Sequence, residues 1–169
     1  MSIADVLTDA LHRVRDTVHD AVDGLTPNEL AYRIDPGANS IAWLVWHLAR
    51  VQDDHVADVA ETDQVWIADG WVARFGLPLA PTDTGYGHSP DEVGQLRVSA
   101  ELLTGYYDAV YDQTVKYVRG LTDADLPRIV DEGWDPPVTL GVRLVSVIAD
   151  TLEHAGQAEF VRGVLARRA

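Results

Sequence analysis

Four segments of this chain repeat apolar residues every three to four positions, and that period restricts its fold more than any other feature. Residues 2 to 24 place Ile3, Leu7, Ala10, Val14, Val18 and Ala21 on one stripe. A second segment, from Ser40 to about Val59, does the same with Ile41, Leu44, Leu48, Val51 and His55. A third keeps Leu96, Leu103, Tyr107, Val110, Thr114, Tyr117 and Leu121 in phase, and a fourth runs from Thr139 to about Leu165. Such spacing stacks side chains on one face of an α-helix and is incompatible with the two-residue period of a strand. Start and stop signals agree with it. Ser2 and Thr139 are suitable N-caps, Gly24 closes the first segment, and Asp35 to Asn39 reads as a turn. Thr26-Pro27-Asn28-Glu29 and Ser89-Pro90-Asp91-Glu92 each have the form of a capping box with proline at the first helical position. The first opens a short helical turn; the second opens a third helix of about thirty residues.

Between the second and third helices, residues 60 to 89 carry Gly70, Gly76, Pro78, Pro81, Gly85 and Gly87 among Trp66, Trp71, Phe75 and Tyr86. This reads as a long ordered connection over one end of the bundle, with its tryptophans as a lid on the core. Another loop, with Gly133, Pro136 and Pro137, precedes the fourth helix, and no segment shows convincing strand alternation. The expected architecture is all-α: one antiparallel four-helix-bundle domain over residues 1–169, with a long loop between helices two and three. Charge and composition narrow the function. Lys and Arg total 13 against 27 Asp and Glu, a formal charge of −14, which repels phosphate backbones and argues against a nucleic-acid partner. With no cysteine there is no disulfide, thiolate metal ligand or cysteine nucleophile, so any thiol in a reaction comes from outside. The longest uninterrupted apolar run, Ile41 to Trp46, is six residues where a membrane span needs about 20, and the N-terminus has no export signal. A soluble, cytoplasmic protein without a membrane partner is expected.

Bundles build sites from side chains on facing helices. On the second helix His47 leans toward the interior, about 40 to 60° from Leu44 and Val51 at 100° per residue. On the fourth, Arg143, Val147, Asp150, His154, Gln157 and Val161 form one stripe whose apolar members bracket its polar centre. Asp150 and His154, four residues apart, are placed to hold one ion, and His47 from a facing helix would complete a set of two imidazoles and a carboxylate. The same residues also suit plainer roles: an intrahelical ion pair, and a hydrogen-bonded core histidine. Arg143 is placed to bind an anionic group of a ligand or to pair with Asp150. His55 is about 12 Å along the helix from His47, too far to share an ion. His12 and His19 read as surface residues, and His88 as an exposed turn residue.

The runs Leu25-Thr26-Pro27-Asn28-Glu29-Leu30, Asp35 through Ala49 and Asp150 through Glu159 resemble the DinB-like superfamily of metal-dependent four-helix-bundle proteins. Within it the chain is most similar to the actinobacterial mycothiol-dependent branch, which includes mycothiol S-transferases and the N-terminal domain of mycothiol-dependent maleylpyruvate isomerase. The similarity extends over essentially the whole chain; the isomerase's second domain has no counterpart, which favours a transferase. The resemblance implies a divalent metal, usually zinc, on the positions of His47, Asp150 and His154. Many relatives carry His or Glu at the position of Asp150, and Gln or His at that of Gln157, so Gln157 is expected to contact a ligand residue or the substrate. It further implies mycothiol as cosubstrate, activated as a thiolate for conjugation to a small electrophile in detoxification. Dimerisation is frequent in the superfamily, and a homodimer is expected accordingly. Two other readings stay open: a hydrolase using metal-bound water, with iron or manganese also suiting the ligand set, and a stress-linked helical-bundle binding protein without catalysis.

Overall fold

The structure, a computed structural model, describes residues 1–168. Four long helices make the frame: α1 (Ile3–Val22), α3 (Ile41–Ala60), α7 (Ala100–Val118) and α8 (Leu140–Ala166). Short helices α2 (Pro27–Leu30), α4 (Val65–Ala68), α5 (Trp71–Phe75) and α6 (Pro90–Val93) lie in the connections, with a ribbon of β1 (Ile129–Asp131) and β2 (Val138–Thr139) before α8. The capping signals act as read. Ser2, Thr26 and Ser89 each form a reciprocal capping box, and the Ser40 and Thr139 hydroxyls accept from the backbone N–H groups of Trp43 and Val142.

Helices α3 and α1 each pack against both α7 and α8, so α1 and α3 are diagonal partners across the bundle. Cross-helix bonds give the directions. Tyr106 reaches Asp53 while Tyr117 reaches the Val59 carbonyl, so α7 runs parallel to α3. Arg143 meets His55 while His154 lies against His47, so α8 runs antiparallel to α3. Arg162 near the end of α8 reaches carbonyls at the end of α1, so those two run parallel. The all-α bundle is therefore wound up, down, down, up, and residues 61–99 form the crossover that lets α7 follow α3 in the same sense.

That crossover covers the outer face of α3. Every residue from Ser40 to Arg50 is buried, because Trp66, Trp71 and Phe75 pack with Tyr106 above a helix already seated on α8 and α7. Two expectations are corrected here. The third helix of about thirty residues is two: α6 ends after one turn at Gly94, and α7 begins at a fresh cap, Ser99. Between them an irregular, non-helical segment buries Leu96 and Val98, which places Leu96 in the core without helical geometry. The second loop also contains strand. Ile129 pairs with Thr139 and Asp131 with Val138, a ribbon too short for its alternation to stand out in the sequence.

Candidate metal centre

His47, Asp150 and His154 come together between α3 and α8. Each offers a ligand atom, and these atoms all lie within 4.8 Å of one another. The antiparallel pairing of α3 and α8 brings His154, the fifteenth residue of α8, onto the His47 level, something the spacing within either helix cannot specify. The two imidazoles meet edge to face with centroids 4.9 Å apart, and His154 Nε2 lies 3.7 Å from Asp150 Oδ1.

Each ring is held through its other nitrogen. His47 Nδ1 lies 2.5 Å from the Thr84 carbonyl, which can only accept, so Nδ1 carries the proton and Nε2 keeps its lone pair. His154 Nδ1 donates to Gln157 Oε1 at 3.0 Å, with the same result at its Nε2. Gln157 thus contacts His154. Burial is the largest influence on His47 and holds its pKa below the ordinary imidazole value, keeping the ring neutral as a ligand must be. Asp150 Oδ2 is buried with no hydrogen-bond partner. A carboxylate oxygen left without a donor beside two imidazole lone pairs has the chemistry of a cation site, and the three residues fit a divalent metal.

Residues that the sequence reading passed over or placed elsewhere position this group. Trp43 stacks on His47 with centroids 4.5 Å and planes 17° apart. Its indole N–H donates to His88 Nδ1 at 3.0 Å, so the His88 proton is on Nε2, which donates to Asp83. His88 is therefore not the exposed turn residue expected: its side chain is only 4% exposed. Burial pushes the Asp83 carboxyl upward, but its bonds to His88 and the Gly85 N–H outweigh that and leave it below the usual range. Gly85, at φ +92°, lies so close that a Cβ would sit 2.9 Å from His47 Nδ1 and 3.0 Å from Trp46. Beneath the loop, fully buried Arg50 donates to the Asp83 carbonyl, Gln64 and the Tyr106 hydroxyl, while Asp53 accepts from Tyr106 and the backbone N–H groups of Val65 and Trp66. A loop of mostly polar residues thus acquires a fixed carbonyl, that of Thr84, at the ligand.

Arg143 does not join the triad. It donates to Asp131 at 2.9 Å and to His55 Nδ1 at 3.1 Å, and the expected pairing with Asp150 is absent. The β1–β2 ribbon, unforeseen in the sequence, supplies the nearer carboxylate.

The fold and site define an all-α bundle with a two-histidine, one-carboxylate cluster that could hold a metal ion between its second and fourth long helices. Comparison with known proteins makes the assignment narrower. The mycothiol S-transferase family model matches residues 6–166, and the chain belongs to that family. A solved structure described as a conserved protein from Enterococcus faecalis is similar at 29% identity, covering 98% of each chain with a TM-score of 0.92. No curated protein matches.

Proposed function

We propose that this protein is a metal-dependent S-transferase that conjugates mycothiol to a small electrophile, acting as one domain over residues 1–169. The observation that carries it is the convergence of ligand atoms of His47, Asp150 and His154 within 4.8 Å, with Asp150 Oδ2 buried and unpartnered, in a chain of this family. His47, Asp150 and His154 would hold a zinc ion, whose Lewis acidity would supply a lowered thiol pKa and so a thiolate nucleophile. His47 and His154 would hold the ion, with their tautomers fixed by Thr84 and Gln157, and Asp150 would balance part of its charge. Trp43 and Gly85 close the His47 side of the site against water. A structural zinc has four protein ligands as a rule, and three favour an exchangeable position. The reaction belongs to detoxification in the cytoplasm; among the described residues no helix is long and apolar enough to cross a membrane.

The test is metal content by plasma mass spectrometry on protein purified without chelator or His-tag, beside Asp150→Ala and His154→Ala, followed by a mycothiol titration. The expected result is about one zinc per chain, lost in both variants, with spectroscopy of cobalt-substituted protein changing as thiol is added. Metal indifferent to thiol would move the reading to hydrolysis or a structural ion. Wild-type protein that folds and accepts no zinc, iron or manganese would overturn it.

A further inference from the structure

Beside the candidate metal centre lies a groove of about 410 Å³ that the metal chemistry does not use, lined by Asp54, His55, Asp58, Gln64, Asp131 and Arg143. It occupies the C-terminal half of α3 and the first turn of α8, with β1 as one wall. Arg143 is seven residues from Asp150 on the same helical stripe, about 10 Å at the helical rise, and His55 is about 12 Å from His47.

The lining specifies the kind of ligand. Three carboxylates against one guanidinium leave the groove net negative, and the guanidinium is already engaged by Asp131, so anions are disfavoured. Because Arg143 only donates, His55 Nδ1 accepts and its proton sits on Nε2, a donor on a ring that burial and Arg143 hold neutral. Asp54 is already an acceptor for Gln64, whereas Asp58 is exposed. Trp134, 67% exposed and an unusual surface residue, stands three residues beyond Asp131, in the turn that joins the two strands of the ribbon walling the groove. An exposed indole next to carboxylates and amides presents a flat apolar face for C–H groups, with acceptors at its edge for hydroxyls.

We infer that this groove binds the neutral, hydroxyl-rich rings of the thiol cosubstrate, with Asp58, Asp54 and His55 taking hydroxyls and Trp134 stacking on a ring face. This rests on the proposed thiol transfer and adds to it a specificity site. With sulfur at the triad, the amino-sugar and inositol rings of mycothiol extend along α3 and α8 toward Arg143. Arg143 acts as a positioning residue that fixes the His55 tautomer and the ribbon carrying Asp131.

The test is calorimetric titration of zinc-loaded protein with mycothiol and with N-acetylcysteine, which has the thiol and lacks the rings, on wild type, Asp58→Asn and Trp134→Ala. Both substituted residues are exposed, so folding is preserved. Mycothiol should bind at least about tenfold more tightly than N-acetylcysteine, and each variant should shrink that ratio by about three- to tenfold. Equal affinities for the two thiols would overturn the inference and leave thiol transfer standing. A mycothiol preference untouched by either variant would place the rings elsewhere and also overturn it. Binding of neither thiol would overturn both readings.

Discussion

Gly85 shows at the scale of one residue how the candidate centre depends on a side chain that is missing. Its φ of +92° and a Cβ position 2.9 Å from His47 Nδ1 leave no room for alanine. Gly85→Ala should destabilise the fold by about 1–3 kcal/mol and displace His47 from the Thr84 carbonyl, lowering metal affinity together with the urea midpoint. His55 gives a pH prediction. Burial first and Arg143 second hold its folded pKa below the ordinary 6.5. Between the folded and unfolded values the unfolded chain binds more protons, so the contribution to stability is complete above 6.5 and is lost as pH falls below it. In metal-free protein, urea midpoints across that window should fall with acid, and His55→Gln should flatten the slope. An unchanged slope would place the titration elsewhere.

At the scale of elements, the crossover of residues 61–99 is tied to α3 by the Arg50, Asp53 and Tyr106 network more than by its own short helices. Asp53 is 2% exposed, and burial raises its carboxyl pKa against the bonds from Trp66, Tyr106, Val65 and Arg50. Removing it leaves the Arg50 guanidinium buried without a counter-charge and two α4 backbone N–H groups without an acceptor. Asp53→Ala should therefore cost about 3–5 kcal/mol in chemical denaturation, against about 1 kcal/mol for Tyr106→Phe, which removes one bond. Because Arg50 also holds the Asp83 carbonyl, one residue from Thr84, Asp53→Ala should weaken metal binding without touching a ligand. The break between α6 and α7 has the same origin. Ser99 offers a second cap, and burying Leu96 and Val98 in a non-helical segment compensates for the lost helical bonds.

For the whole molecule, a cation at the candidate centre would bind side chains of α3 and α8 together, and ligation of the native state alone adds stability by mass action. At a free metal concentration a hundredfold above Kd the gain is about 2.7 kcal/mol, roughly 5–10 °C in Tm for a chain of this size. Chelator should lower the Tm of wild type by that amount and leave Asp150→Ala unmoved, which thermal scans with and without chelator would check. The acidic balance of 27 acids to 13 bases persists around the groove and helps decide its ligand class, since a phosphate or carboxylate would meet Asp54, Asp58 and Asp131.

Local interactions act between residues a few positions apart, so the sequence by itself determined what depends on them. These are the four long helices, the caps at Ser2, Thr26, Ser89 and Thr139, and the spacing of Asp150 and His154 by one turn of α8. The resemblance in the Asp35 to Ala49 and Asp150 to Glu159 runs carried the family, now matched over residues 6–166. The tertiary structure alone decided the rest. His88 is buried because Trp43, 45 residues away, donates to it, and Arg143 turns to Asp131 because a five-residue ribbon closes beside it. The parallel course of α3 and α7 follows from where a long crossover comes down, and the Thr84 carbonyl at His47 from a buried arginine beneath it. Each of these contacts joins segments far apart in the chain, and side-chain periodicity carries no information about which distant segment will be the neighbour.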